Sequence, residues 1–187
     1  MTRKVSMTEP LDIVYDIIDQ KPAEERHILG VLVDNEFGVL GRVIGLFSAR
    51  GYNIEALTVA EVDKKKGLSR ITVITTGSQQ TIIQIMHLLE RMVPVHKVVD
   101  LTTAGPHVER ELALIKVSGK GEDRVEALRI ADIFRAKSVD ATRESFIFEL
   151  TGTSAKIDAF IDLMHPLGLV EIARTGAAAM GRGKKGL

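Results

Sequence analysis

The sequence predicts an α+β chain of two consecutive units, each running strand, helix, strand, strand, helix, strand. Short apolar runs of strand length alternate with apolar stripes at helical spacing. Clusters of glycine, proline and charged residues separate them. The order of the first half then recurs about 80 residues further on.

In the first unit, His27 to Val33 reads as a strand, since Ile28, Leu29, Val31, Leu32 and Val33 form an apolar run that polar residues stop abruptly. A helix follows, with Leu40, Val43, Ile44 and Phe47 on one face and Gly51 as its natural stop. Ile54 to Val62 and Leu68 to Thr75 read as strands around the charged turn Asp63-Lys64-Lys65-Lys66-Gly67. Ser78 is placed to cap a helix whose Ile82, Ile85, Met86 and Leu89 share a face, and Val95 to Leu101 returns as the last strand.

The second unit has strands at Leu112 to Val117, Ser138 to Thr142, Ser145 to Leu150 and Leu169 to Ala173, with a helix over Val125 to Phe134 and another before the last strand. Thr151-Gly152-Thr153 aligns with Thr76-Gly77-Ser78, and Ile157, Phe160, Ile161 and Met164 then fall on Ile82, Ile85, Met86 and Leu89. Each half is therefore expected to be ferredoxin-like, a four-stranded antiparallel sheet with both helices on one face. The other face stays open, and apolar residues in both alternating sets require that something cover it.

The domain boundaries expected from this order are an extension 1–26, a first domain 27–102, a linker 103–108, a second domain 109–175 and a flexible tail 176–187. Leu11, Val14, Ile17 and Ile18 in the extension are spaced for one short amphipathic helix.

The stretch Asp34-Asn35-Glu36-Phe37-Gly38-Val39-Leu40 carries the chemistry. It ends a strand and starts a helix whose first-turn N–H groups lack partners and lie at the positive end of the helix dipole. A carboxylate or phosphate can be held there without a cationic side chain. Asn35, and Asn53 in the returning segment Gly51-Tyr52-Asn53-Ile54, offer directional amides beside it. The structural alternative is that Asn35 caps the helix, Gly38 eases the turn and Asn53 begins a strand. Gly38, Gly41 and Gly45 are not a dinucleotide fingerprint, because the last two fall inside the helix.

The string DNEFGVLGRVIGLFSARGYNIEALTVA resembles the regulatory (small) subunit of acetolactate synthase, or acetohydroxyacid synthase, whose N-terminal module is an ACT domain. LSRITVITTG, HKVVDLT, HVERELALIKV and IFRAKSVD resemble the same family in the same order, so the likeness runs from about His27 to Thr175. It implies a homodimer through ACT domains, with valine, leucine or isoleucine bound at the subunit interface. The implied effector residues are Asn35, Glu36, Phe37, Gly38, Val39, Leu40, Asn53 and Ile54, and it stays open which protomer supplies Asn53. Phe37 departs from the small polar residue common in relatives. The resemblance also implies a partner, the large catalytic subunit, which holds thiamin diphosphate, Mg and FAD, while this chain carries no cofactor of its own.

Composition fits a globular chain, and the near absence of catalytic constellations leads to the expectation that it performs no chemistry itself. At 187 residues with 45% hydrophobic and 27% charged content it can bury two small cores, and 25 basic against 25 acidic residues give no net charge to recommend nucleic acid or membrane. The absence of cysteine excludes thiolate chemistry and disulfides. No apolar run approaches the roughly 20 residues of a membrane helix, so a cytoplasmic location is expected. His27, His87, His96, His107 and His165 show no metal-ligand spacing, and no nucleophile elbow or P-loop occurs. Two rivals remain. A free-standing amino-acid sensor acting on another partner would need an output element such as a helix-turn-helix, and a small enzyme would need converging titratable groups.

Overall fold

The structure, a computed structural model, describes residues 23–187. The extension helix expected around Leu11 to Ile18 lies outside the described residues.

The first half forms a sheet in the order β2-β3-β1-β4, from β1 (Glu25–Asp34), β2 (Ala56–Asp63), β3 (Leu68–Gly77) and β4 (Val95–Asp100). Every pairing is antiparallel. Period-two alternation divides β1 between the faces. Leu29, Val31 and Val33 turn to the core beside Ile71 and Val73, under Val43 and Phe47 of α1 (Val39–Ala49) and Ile82, Ile85 and Leu89 of α2 (Gln79–Glu90). Ser78 caps α2 as its spacing predicts, its Oγ accepting from Thr81 N–H at 3.2 Å.

The second half repeats the plan in the order β6-β7-β5-β8. Its elements are β5 (His107–Val117), α4 (Glu122–Phe134), β6 (Lys137–Ala141), β7 (Phe146–Gly152), α5 (Ser154–Met164) and β8 (Leu169–Arg174). Thr153 caps α5 through Lys156 N–H at 3.3 Å, reproducing Ser78. Phe148 and Phe160 meet edge to face at 6.1 Å in the core, beside Ile115, Leu150, Ile157 and Met164.

Two expectations are corrected. The segment 103–108 is structured almost throughout, since α3 (Leu101–Ala104), capped by Asp100 through Thr102 N–H at 3.0 Å, runs nearly into β5. The tail 176–187 is no free end. Its β9 (Ala178–Gly181) pairs antiparallel with His107 to Arg110, the first part of β5. Ala177 and Ala179 are buried against Ile28, Ile74 and Leu101, on the open face of the first sheet. Thr58 Oγ1 donates to Ala177 O at 3.3 Å and Arg70 to Ala179 O at 2.6 Å. The physical reason is the one that demanded a cover. An exposed apolar sheet face is unfavourable in water, and small side chains let a strand lie flat on it. The chain's own tail therefore covers part of the face expected to need another molecule.

Candidate functional site

The turn between β1 and α1 is held by the backbone. Asp34 N–H donates to Pro94 O at 2.8 Å and Asn35 N–H to Gly67 O at 2.6 Å. Gly38 sits in the left-handed region at φ 81° and takes the N-cap position itself, without a side-chain bond, so Asn35 does not cap the helix. Asn35 Nδ2 instead donates to Glu61 Oε1 at 3.2 Å, and Glu36 pairs with Arg42. Val39 N–H reaches Glu36 O at a long 3.4 Å and Arg42 N–H reaches Gly38 O at 3.0 Å. The amides of Phe37, Gly38, Leu40 and Gly41 have no backbone partner among the described residues. A β-carbon at Gly38 would meet nothing within 4 Å, so the helix end faces open space. Phe37 is fully exposed beside it, while Val39 is buried and Leu40 packs partly into the core.

The second amide is not beside the first. Asn53 is exposed, its carbonyl accepting from Thr75 Oγ1 at 2.6 Å, and Ile54 leans on the core. Thr75 pairs with His27, whereas Asn35 sits by Gly67 and Leu68, where β1 ends. Seven residues of β3 separate these levels, about 23 Å at strand rise. The expectation that the turn at Asn53 returns beside Asn35 fails within one chain, because an 11-residue helix carries the chain about 16 Å back along the sheet. The Asn35 turn and the Asn53 segment thus lie at opposite ends of the first sheet.

Between the two halves lies a cavity of about 520 Å³ that sequence reasoning missed. Glu55 and Ala56, just beyond Asn53, form one wall, and Glu111, Ser154, Asp158 and Arg174 the other. The buried Glu111 carboxylate accepts from Arg174 Nε at 2.7 Å, from Arg174 Nη2 at 2.8 Å and from Ser154 Oγ at 3.1 Å. Arg174 also reaches Asp158 at 2.6 Å, and Arg26 in β1 pairs with Glu109 in β5 across the halves. The signal was present, since Glu111 shares the alternating phase of Ala113, Ile115 and Val117, which are core residues.

The Arg174 hydrogen bonds hold the Glu111 carboxyl below its ordinary value of 4.5. A carboxyl lowered by folding stabilises the native state above its unfolded value, and that contribution is lost as pH falls through the folded one. Glu111→Gln is therefore expected to cost about 1–2 kcal/mol at neutral pH, allowing for solvent screening at half-exposed Arg174. The parent should lose stability faster than the variant on acidification below about pH 4.5, as read by urea unfolding across that range.

Elsewhere, His27 Nδ1 and Asp100 Oδ2 form a buried pair at 2.8 Å. Asp100 also accepts from Thr103 Oγ1 at 3.0 Å. Among the described residues no group of three or more His, Cys, Asp or Glu could hold a metal, and no helix is long and apolar enough to cross a membrane.

Comparison with known proteins resolves what these two halves are. Residues 29–97 match the family model "AHAS small subunit-like ACT domain" and residues 110–183 the model "Small subunit of acetolactate synthase". A probable acetolactate synthase small subunit of Archaeoglobus fulgidus is 46% identical over 86% of this chain and 99% of its own length. The chain belongs to the acetolactate synthase small-subunit family. The Haemophilus influenzae small subunit is 47% identical over 87% of the chain and 99% of its own length. The solved small subunit of Thermotoga maritima superposes with a TM-score of 0.78 at 41% identity, covering 86% and 99% of the two chains. The first unit is thus an ACT domain, as the resemblance implies. In this chain the second family model runs to residue 183, so β9 falls within the family's own C-terminal unit.

Proposed function

We propose that this chain is the regulatory subunit of an acetolactate synthase holoenzyme. It binds a separate large catalytic subunit, raises its activity and makes it sensitive to branched-chain amino acids, valine first. The condensing chemistry, with thiamin diphosphate, Mg and FAD, belongs to that partner.

The placement of the half-sites supports this reading most. β2 is an edge of the first sheet, and its Val59 and Val62 are 43% and 54% exposed. Exposed edges are usually paired or covered. If two copies join through β2 across a dyad normal to the sheet, the strands run antiparallel, and the Asn35 end of one protomer meets the Asn53 end of its partner. The 23 Å that divides the half-sites in one chain becomes the reason for two complete sites per dimer.

In each site the free amides around Phe37 and Gly38 take the effector carboxylate, while Asn35 and the partner's Asn53 take its polar groups. The aliphatic side chain enters the seam, where its burial contributes about 1.5–3 kcal/mol. Selection among valine, leucine and isoleucine is modest, since one methylene is worth about 1–3 kcal/mol. Inhibition follows if the effector favours one arrangement of the holoenzyme over another.

The test is to mix the purified chain with its candidate large subunit and assay acetolactate formation with and without valine. Co-purification, a rise in activity and suppression by valine are expected. A large subunit indifferent to the chain would overturn the proposal.

A further inference from the structure

The tail that covers the open sheet face ends in Gly181-Arg182-Gly183-Lys184-Lys185-Gly186-Leu187, and this segment folds over a second cavity of about 440 Å³. Arg70 and Lys97 project into it from β3 and β4, and Arg182, Lys184 and Lys185 close it from the loop. Among the described residues no acidic side chain lines it, although the chain as a whole is neutral. None of the five cations takes part in an ion pair among the described residues.

The loop is nevertheless held in place. Arg182 N–H donates to Pro106 O at 2.8 Å and Lys97 Nζ to Gly186 O at 3.0 Å. Gly30 leaves room for Arg70 Nη2 and the Leu187 side chain, both of which would lie 3.4 Å from a β-carbon there. Arg70 is half-buried, and desolvation pushes its guanidinium below the ordinary value. Placing a partly buried cation among four others, with no acidic side chain among the described lining residues, is unfavourable, and a bound anion would reduce the penalty.

We infer that this cavity binds a small multiply charged phosphate anion, gripped by Arg70, Lys97, Arg182, Lys184 and Lys185. Five cations exceed what one carboxylate can use. The glycines leave loop amides unshielded, as phosphate-binding loops require. Val99, Leu101 and Met180 at the cavity wall leave space for an apolar appendage on the ligand. Occupancy would fasten the tail onto the ACT sheet, since Arg70 already bonds to Ala179 O. The site is separate from the Asn35 and Asn53 half-sites and stands or falls independently of the effector proposal.

Calorimetry on the full chain with sodium tripolyphosphate tests it, with citrate as an anion of comparable charge but no phosphate. Tripolyphosphate is expected to bind at least tenfold more tightly than citrate, with affinity that falls as salt is raised. The triple variant R182Q/K184Q/K185Q, which changes exposed loop residues only, should weaken tripolyphosphate at least tenfold, and the hairpin variant K64Q/K65Q/K66Q should leave it unchanged. No heat with tripolyphosphate, equal binding of citrate, or equal losses in the two variants would overturn the inference.

Discussion

Gly38→Asp is expected to remove most of the valine sensitivity of the reconstituted holoenzyme while leaving its activation by this chain in place. The residue lies at φ 81° with open space around its missing β-carbon, so the substitution meets no clash. Its conformational penalty is about 1 kcal/mol, since aspartate tolerates the left-handed region better than most residues. Its carboxylate would occupy the helix end to which the proposal assigns the effector's own, and two like charges cannot share one set of amides. The half-inhibitory valine concentration should rise at least tenfold. Gly38→Ala carries the strain without the charge and should shift it far less. If both substitutions shift it equally, backbone strain rather than carboxylate competition explains the effect.

Phe47→Ala is expected to produce the largest loss of stability, about 3–5 kcal/mol in the unfolding of the first domain. Phe47 is 1% exposed, faces the sheet from α1 and meets Tyr52 edge to face at 6.2 Å. Tyr52 N–H also donates to Phe47 O at 2.9 Å. One ring therefore supports both the helix that opens at Gly38 and the segment that presents Asn53. Urea unfolding followed by a probe of the first domain should show the shift, and calorimetry should show a matching loss of valine binding. A change under about 1 kcal/mol would mean that the site does not depend on this packing.

Much of the fold was legible because local signals agreed with one another. Ser78 and Thr153 cap equivalent helices, and the apolar positions that follow them face equivalent cores. β9 was not legible, because Ala178-Ala179-Met180-Gly181 has no alternation of its own and gains its structure from the sheet face beneath it. The loop from Asn35 to Leu40 was found where the sequence placed it, but its relation to Asn53 was misjudged. Nearness along the chain suggested nearness in space, while a helix of that length carries the chain to the far end of the sheet. Glu111 was not legible for a different reason, since a charge in the buried phase of a strand gains its role only from a partner, Arg174, that the fold brings to it from a distant strand.

The central claim is that the effector site is shared across a dyad, with Asn35 from one protomer and Asn53 from its partner. Mixed dimers, one protomer carrying Asn35→Ala and the other Asn53→Ala and isolated with two different tags, test it most directly. One of their two sites would lack both amides and the other would keep both. Calorimetry should find no parental-affinity valine site in either homodimeric variant and one such site per mixed dimer. A mixed dimer that binds no better than the homodimeric variants would contradict a shared site.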